Sequence, residues 1–293
     1  MRPALAYRPG RSPLHRASPA AAVAYLGGLA AAGFIYSSPL ILVAAGAATA
    51  LAGVVAGAGR AVRASLVLAL PLLLLMVAVN ALVTHRGDTV LVRGWEMPVL
   101  GNTDVTLESL AAGATIGLRV VAVILAFAVY SACVDPDRVL RALRPVARRS
   151  AMTAGLVTRM VPLAAADVAR LREASALRGP GAAPVGRAAM ARRLVEGSLD
   201  RAVDVAATLE LRGHSLGIRP QLRRQRSRDD VPVMATGLAI LAVSVAARIA
   251  GAGGFETYPR IELRADPMTL ALCLALPLLA AIPFVVARWR SRG

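Results

Sequence analysis

Residues 64–84 read ASLVLALPLLLLMVAVNALVT, twenty-one positions without one Asp, Glu, Lys or Arg. About 20 such residues, wound as a helix, match the thickness of a bilayer's hydrocarbon core. Lipid offers no hydrogen bonds, so the backbone must satisfy itself, which a helix does. This stretch reads as a transmembrane helix. Working outward, five more stretches read the same way: Ala20–Tyr36, Leu40–Gly59, Leu110–Val134, Val231–Ala250 and Met268–Val286. The first two are separated only by Ser37-Ser38-Pro39, a tight helical hairpin. The third and fourth are joined by His85–Ser109, whose Gly, Asp, Asn and Thr surround short alternating runs such as Thr89–Val92. That pattern predicts a small hairpin-like cap outside the bilayer. The expected fold is an all-α polytopic membrane protein of about six transmembrane helices.

Composition agrees. Apolar residues make up 57% of the 293-residue chain and charged residues 17%, and mean hydropathy is +0.60. Soluble domains have about 45–50% apolar and about 25% charged residues. The net charge is nevertheless +17, and all 34 basic residues are arginine. Without lysine the chain has neither a P-loop nor a Schiff-base nucleophile. Its two cysteines, Cys133 and Cys273, lie in apolar runs and build no disulfide framework or metal site. His15, His85 and His214 are too scattered to be ligands of one ion. No catalytic residue, metal ligand or cofactor site is expected.

Arginine placement gives the orientation, because Arg-rich loops stay in the cytoplasm. Residues 1–18 carry four arginines, Arg60 and Arg63 flank the second turn, and residues 287–293 carry three. The polar block 135–230 holds 19 arginines against 10 acids, whereas segments 85–107 and 253–267 each hold two against three. The positive excess falls on one side, which predicts a multi-pass protein with both termini cytoplasmic. A cleaved signal peptide is the competing reading of the N-terminus. The run Ala20–Tyr36 exceeds the usual signal core of about 7–15 residues.

Three regions follow: transmembrane residues 1–134, a cytoplasmic region 135–230, and transmembrane residues 231–293. In the middle region, Asp135-Pro136 fits an N-cap followed by proline at the first helical position. The spacing Asp135-x-Asp137 also occurs in metal sites, but capping accounts for it. A short basic helix, Asp137–Arg144, ends at Pro145. A long helix over about Ser150–Leu177 presents Val157, Val161, Ala164, Val168, Leu171 and Ser175 along one seam. Pro162 should bend it, and Gly179-Pro180 stops it. A second helix spans about Arg187–Arg212, with a seam of Leu199, Ala202, Ala206 and Leu209. Both end alike, in Leu177-Arg178-Gly179 and Leu211-Arg212-Gly213, the arginines 34 positions apart. Arginine in a last turn and glycine beyond it are ordinary capping. Two copies on two amphipathic helices point further, because a guanidinium at a helix tip can pair bidentately with a partner's carboxylate.

With those tips the sequence resembles the transmembrane T component of energy-coupling factor (ECF) transporters, the EcfT/CbiQ family. The resemblance covers nearly the whole chain. It includes Asn80-Ala81-Leu82, Gly117-Leu118-Arg119-Val120, Asp135-Pro136, Val139-Leu140-Arg141-Ala142-Leu143 and Ser198-Leu199-Asp200-Arg201-Ala202. Leucine rather than the family's frequent alanine precedes both tip arginines. The resemblance implies a coupling scaffold in a bacterial plasma membrane. Two long coupling helices would dock on two ABC-type ATPase subunits. The membrane part would hold a separate S component that captures a vitamin or transition-metal ion. Arg178 and Arg212 would then be the principal ATPase-contacting residues.

Arg119, mid-span, costs on the order of 3 kcal/mol to insert and is expected to tie its helix to another. Arg248 can snorkel. Gly53-x-x-x-Gly57 fits close helix packing. The run Arg219–Arg228 lacks the interleaved aromatics of a nucleic-acid patch. It reads as an anchor on acidic headgroups of the lipid bilayer. A membrane-embedded lipid or prenyl group transferase is the main alternative function. It needs clustered acids for a divalent ion, and only Asp135 and Asp137 are candidates. A self-sufficient secondary transporter would show ionisable groups at midplane in paired spans; Arg119 stands unpaired.

Overall fold

The computed structural model describes residues 7–84, 89–92, 96–97, 101–102, 105–143, 148–177, 186–211, 227–256, 262–263 and 266–290. The helices are α1 (Pro13–Arg16), α2 (Pro19–Ile35), α3 (Pro39–Val55), α4 (Gly59–Val83), α5 (Leu107–Cys133), α6 (Pro136–Leu143), α7 (Arg148–Ala176), α8 (Arg187–Leu211), α9 (Asp230–Ile249) and α10 (Pro267–Arg290). The chain divides into two compact units, Met1–Ala142 with Arg226–Gly293, and Leu143–Gln225.

Among the described residues, four helices are long and apolar enough to cross a membrane: α4, α5, α9 and α10. The sequence reading gave spans one and two similar standing. They are apolar helices of 17 residues each, the short end of the range of about 17–25 that can cross. Local chemistry sets their length. Ser18 accepts a hydrogen bond from the Ala21 N–H at 3.4 Å and Pro19 follows. Pro39, with its fixed φ and no N–H to lose, starts α3. Gly57, at φ +87°, ends it. Ala58 N–H bonds to Gly53 O at 2.8 Å and Gly57 N–H to Val54 O at 2.9 Å, the paired bonds of a Schellman stop. Helix α4 therefore begins at Gly59, five residues before the reading from hydropathy alone, and Arg60 and Arg63 lie in its first turns. Gly251 ends α9 in the same way, at φ +90°.

The connection between α4 and α5 forms two antiparallel ribbons. Strand β1 (Val90–Val92) pairs with β4 (Val105–Thr106), and β2 (Glu96–Met97) with β3 (Gly101–Asn102). Glu108 fastens this cap to α5. It is buried and accepts bonds from Thr89, at 2.8 Å from Oγ1 and 3.2 Å from N–H. An acid in a first helical turn also favours the dipole. Strands β5 (Phe255–Glu256) and β6 (Glu262–Leu263) make a third ribbon between α9 and α10.

The membrane unit is held by helix pairs distant in sequence, above all α2 with α9. They cross where both lack side chains. A Cβ on Gly28 would lie 2.5 Å from the Gly237 carbonyl oxygen, and one on Gly237 would press on the Ala24 carbonyl and the Tyr25 Cα. Apolar attraction between helices is weak inside lipid, so small residues and close backbone contact supply the association. Buried tyrosines reinforce it. Tyr25 donates to Ala280 O at 2.6 Å and Tyr36 to Ser244 O at 2.7 Å. At the other end of α2, Ser18 N–H donates to Asp230 Oδ1 at 2.5 Å, so a carboxylate on α9 holds the start of α2. Gly53 is packed against Val129 of α5 and Val62 of α4, inside this chain. Its partner in the sequence motif, Gly57, serves the turn instead.

Gly237→Ala should force α2 and α9 apart and cost about 1–3 kcal/mol of stability, the usual penalty of overpacking. Gly27→Ala, where nothing lies within 4 Å of the added methyl, should leave stability unchanged. Thermal unfolding in detergent distinguishes them, and equal midpoints for the two variants would contradict the crossing.

Candidate functional site

The polar helices α7 and α8 run 29 and 25 residues. Each continues to the leucine of its terminal tripeptide: Leu177 N–H still bonds to Glu173 O at 3.1 Å, and α8 ends on Leu211. Both leucines are almost fully solvent-facing, at 85% and 88% exposure. Arg178, Gly179, Arg212 and Gly213 lie outside the described residues, as does His214. Pro162 lies inside α7, where its missing N–H leaves the Thr158 carbonyl without its helical donor.

The α7 seam is half-covered at Val168, Leu171 and Ser175 but open at Val157 and Val161. On α8 the expected seam is covered at Leu209 alone. Leu199, Ala202 and Ala206 are exposed, whereas Met190, Leu194, Arg201, Val205 and Leu209 are half-buried. Periodicity finds apolar residues but not which way a partner turns the helix. Here Arg201 is turned inward, and its Nη1 donates to Asp167 Oδ2 on α7 at 2.8 Å. Val195, Leu199 and Val203 consequently form an uncovered stripe along α8. Asp167 and Arg201 are 34 positions apart, the same interval as the two tip arginines, but the interval marks them as equivalent and carries no signal that they touch.

Asp135 is occupied as a helix cap. Its Oδ1 accepts from the Asp137 N–H at 2.9 Å, and its other oxygen lies 4.0 Å from Arg141 Nη2. Among the described residues no three of His, Cys, Asp or Glu gather where they could hold a metal ion. His15 is buried in the packing of the N-terminal segment. Its Nδ1 lies 2.7 Å from Ser12 Oγ, and burial holds its pKa below the usual value despite a backbone hydrogen bond with Arg8. Of the arginine run 219–228, Arg228 and Ser227 lie within the described residues; the Arg228 carbonyl accepts from Arg290 Nη1 at 3.0 Å.

Arg119 reaches from α5 to the end of α2. Its Nε donates to Gly33 O at 2.9 Å and its Nη2 to Tyr36 O at 3.1 Å. The last carbonyls of a helix have no partners in the helix itself, and a cation there also meets the favourable end of the dipole. Helix lengths explain why a mid-span arginine finds a helix end. Arg8 N–H bonds to Ala132 O at 3.2 Å, placing the approach to α1 and α2 beside the end of α5. The 17 residues of α2 rise about 25 Å, and the stretch of α5 back from Cys133 to Arg119 covers about 21 Å. The short helix stops at the depth of the charge.

A family model described as CbiQ, cobalt transport protein, matches residues 10–222. No curated protein matches the chain.

Arg119→Leu should leave the Gly33 and Tyr36 carbonyls without donors and cost about 1–2 kcal/mol, the upper part of the range for hydrogen bonds between membrane helices. Arg119→Lys keeps the charge but loses the two-pronged geometry and should fall between. Wild-type melting behaviour in Arg119→Leu would remove the residue from any structural role.

Proposed function

This chain belongs to the CbiQ family of cobalt transport proteins. From that premise we propose that it is the transmembrane energy-coupling subunit of an ECF-type ABC importer. It is a membrane transport component, and ATP hydrolysis resides in two partner ABC-type ATPase subunits. A separate S component in the membrane captures the cargo, a transition-metal ion such as cobalt or a vitamin. The cycle begins with nucleotide binding by the ATPases, which moves α7 and α8. That motion passes into the membrane unit and reorients the S component to release cargo into the bacterial cytoplasm. Both termini and the helix tips face that compartment.

The observation that carries this reading is the state of the two polar helices. Each delivers a leucine at 85% or 88% exposure in its last described position, immediately followed in sequence by arginine. Val157 and Val161 on α7, and Val195, Leu199 and Val203 on α8, remain uncovered as well. Outside a bilayer, exposed apolar stripes on otherwise polar helices mark surfaces that a partner covers. Arginine at a helix tip adds a planar, always-charged fork for a carboxylate in the partner's groove. Leu177-Arg178-Gly179 and Leu211-Arg212-Gly213 are accordingly the coupling tips, with Arg178 and Arg212 the principal contacts.

Reversing both charges, Arg178→Glu with Arg212→Glu, should abolish uptake and weaken ATPase co-purification while membrane insertion stays normal. Undiminished uptake by that double variant would remove both arginines from the interface. The chain purified by itself should hydrolyse no ATP, and turnover surviving a test for contaminating ATPase would contradict the division of labour.

A further inference from the structure

The Asp167–Arg201 contact joins positions that are equivalent in the two coupling helices. Counting forward, Leu177 lies ten residues beyond Asp167 and Leu211 ten beyond Arg201. The contact therefore divides both helices at the same place, about 15 Å from each tip. Contact between equivalent positions is the mark of a local two-fold relation. The charges are inverted between the two helices: Asp167-x-x-Arg170 on α7 corresponds in sequence to Arg201-x-x-Asp204 on α8. Arg170 Nη1 also lies 3.7 Å from Asp167 Oδ1, so the acid sits between two guanidinium groups. The side chains of Asp167 and Arg201 are 25% and 34% exposed, and among the described residues no other ion pair links the two helices.

We infer that Asp167 and Arg201 form the pin about which the two coupling helices are set, fixing the separation of their tips for a two-fold-related pair of ATPase subunits. The pair positions Arg178 and Arg212 and touches neither nucleotide nor cargo. A partly exposed ion pair adds little stability; its effect here is geometric. With arms of about 15 Å, a change of about 10° in the angle between them shifts the tips by about 2.6 Å, enough to break a hydrogen bond. Opposite charges at equivalent positions attract across the pair, whereas a one-turn slip of either helix would separate them. This inference rests on the coupling reading above.

The test uses the full chain with Cys133→Ala and Cys273→Ala, spin labels at Leu177→Cys and Leu211→Cys, and electron–electron distance measurement in nanodiscs. The same substitutions at the pin are assayed, without labels, for uptake per ATP hydrolysed in the assembled importer. Asp167→Asn and Arg201→Gln should each broaden the tip-to-tip distance distribution. Each should lower uptake per ATP about fivefold, with ATPase co-purification retained. The double variant should be no worse than either single one, because the two residues act as a unit. Glu196→Gln removes an ordinary surface pair with Arg192, 3.3 Å apart on α8, and should change neither readout. Wild-type distances with wild-type coupling in both single variants would overturn the pin, and so would losses that add in the double variant. If the unsubstituted chain recruits no ATPase, the coupling reading fails instead, while the distance measurement, which needs no partner, still decides the pin.

Discussion

The membrane unit depends on two glycines meeting backbone to backbone. Gly28 and Gly237 leave no room for a methyl group at the crossing of α2 and α9, and that closeness brings the rest of α2 into bonding distance of the C-terminal helices. Tyr25 then reaches Ala280 O, Tyr36 reaches Ser244 O, and Asp230 accepts from Ser18 N–H. Each bond satisfies a buried or half-buried polar group in a place where an unmet one costs several kcal/mol. Helix α2 is thus fixed at its start, middle and end by the same two partners. Leucine-rich α4, by contrast, keeps most of its large side chains exposed and packs through Ala and Ser at its α3 end and onto Gly113 and Gly117 of α5.

The short second and third helices have an effect beyond their own packing. Because they stop early, the turn at Ser37 and Ser38 lies level with Arg119, and unpaired carbonyls are supplied where a guanidinium would otherwise be stranded. A chain with six equal spans would leave both the cation and the α2 end unsatisfied. Sequence and length have been matched here: the capping residues that shorten α2 and α3 are also what makes an intramembrane arginine tolerable.

Much of this was legible in the sequence, for physical reasons that also mark where legibility stops. Uncharged runs locate apolar helices because lipid penalises charge locally, and Asp135-Pro136 announced a helix start because capping is a neighbour effect. The alternating residues after Thr89 did become paired strands. Span ends were less accurate, since hydropathy is blind to the Gly57 stop that ends α3 at Val55. Of the α8 seam, Leu209 is half-buried while Leu199, Ala202 and Ala206 are exposed, because Arg201, a charged residue, turns inward to meet Asp167. Pairings such as Tyr36 with Ser244 have no local signature at all. The two tip arginines were conspicuous as a repeat, yet a repeat interval says nothing about which residues touch, and it took the Asp167 contact to show that the interval also governs packing.

Tyr36 and Ser244 stand 208 positions apart, with both polar helices encoded between them. A ribosome adding about 5–20 residues per second needs roughly 10–40 s to cover that interval. For that time the newly inserted N-terminal hairpin sits in the bilayer with its glycine face unmatched, open to lipid or to an insertion factor.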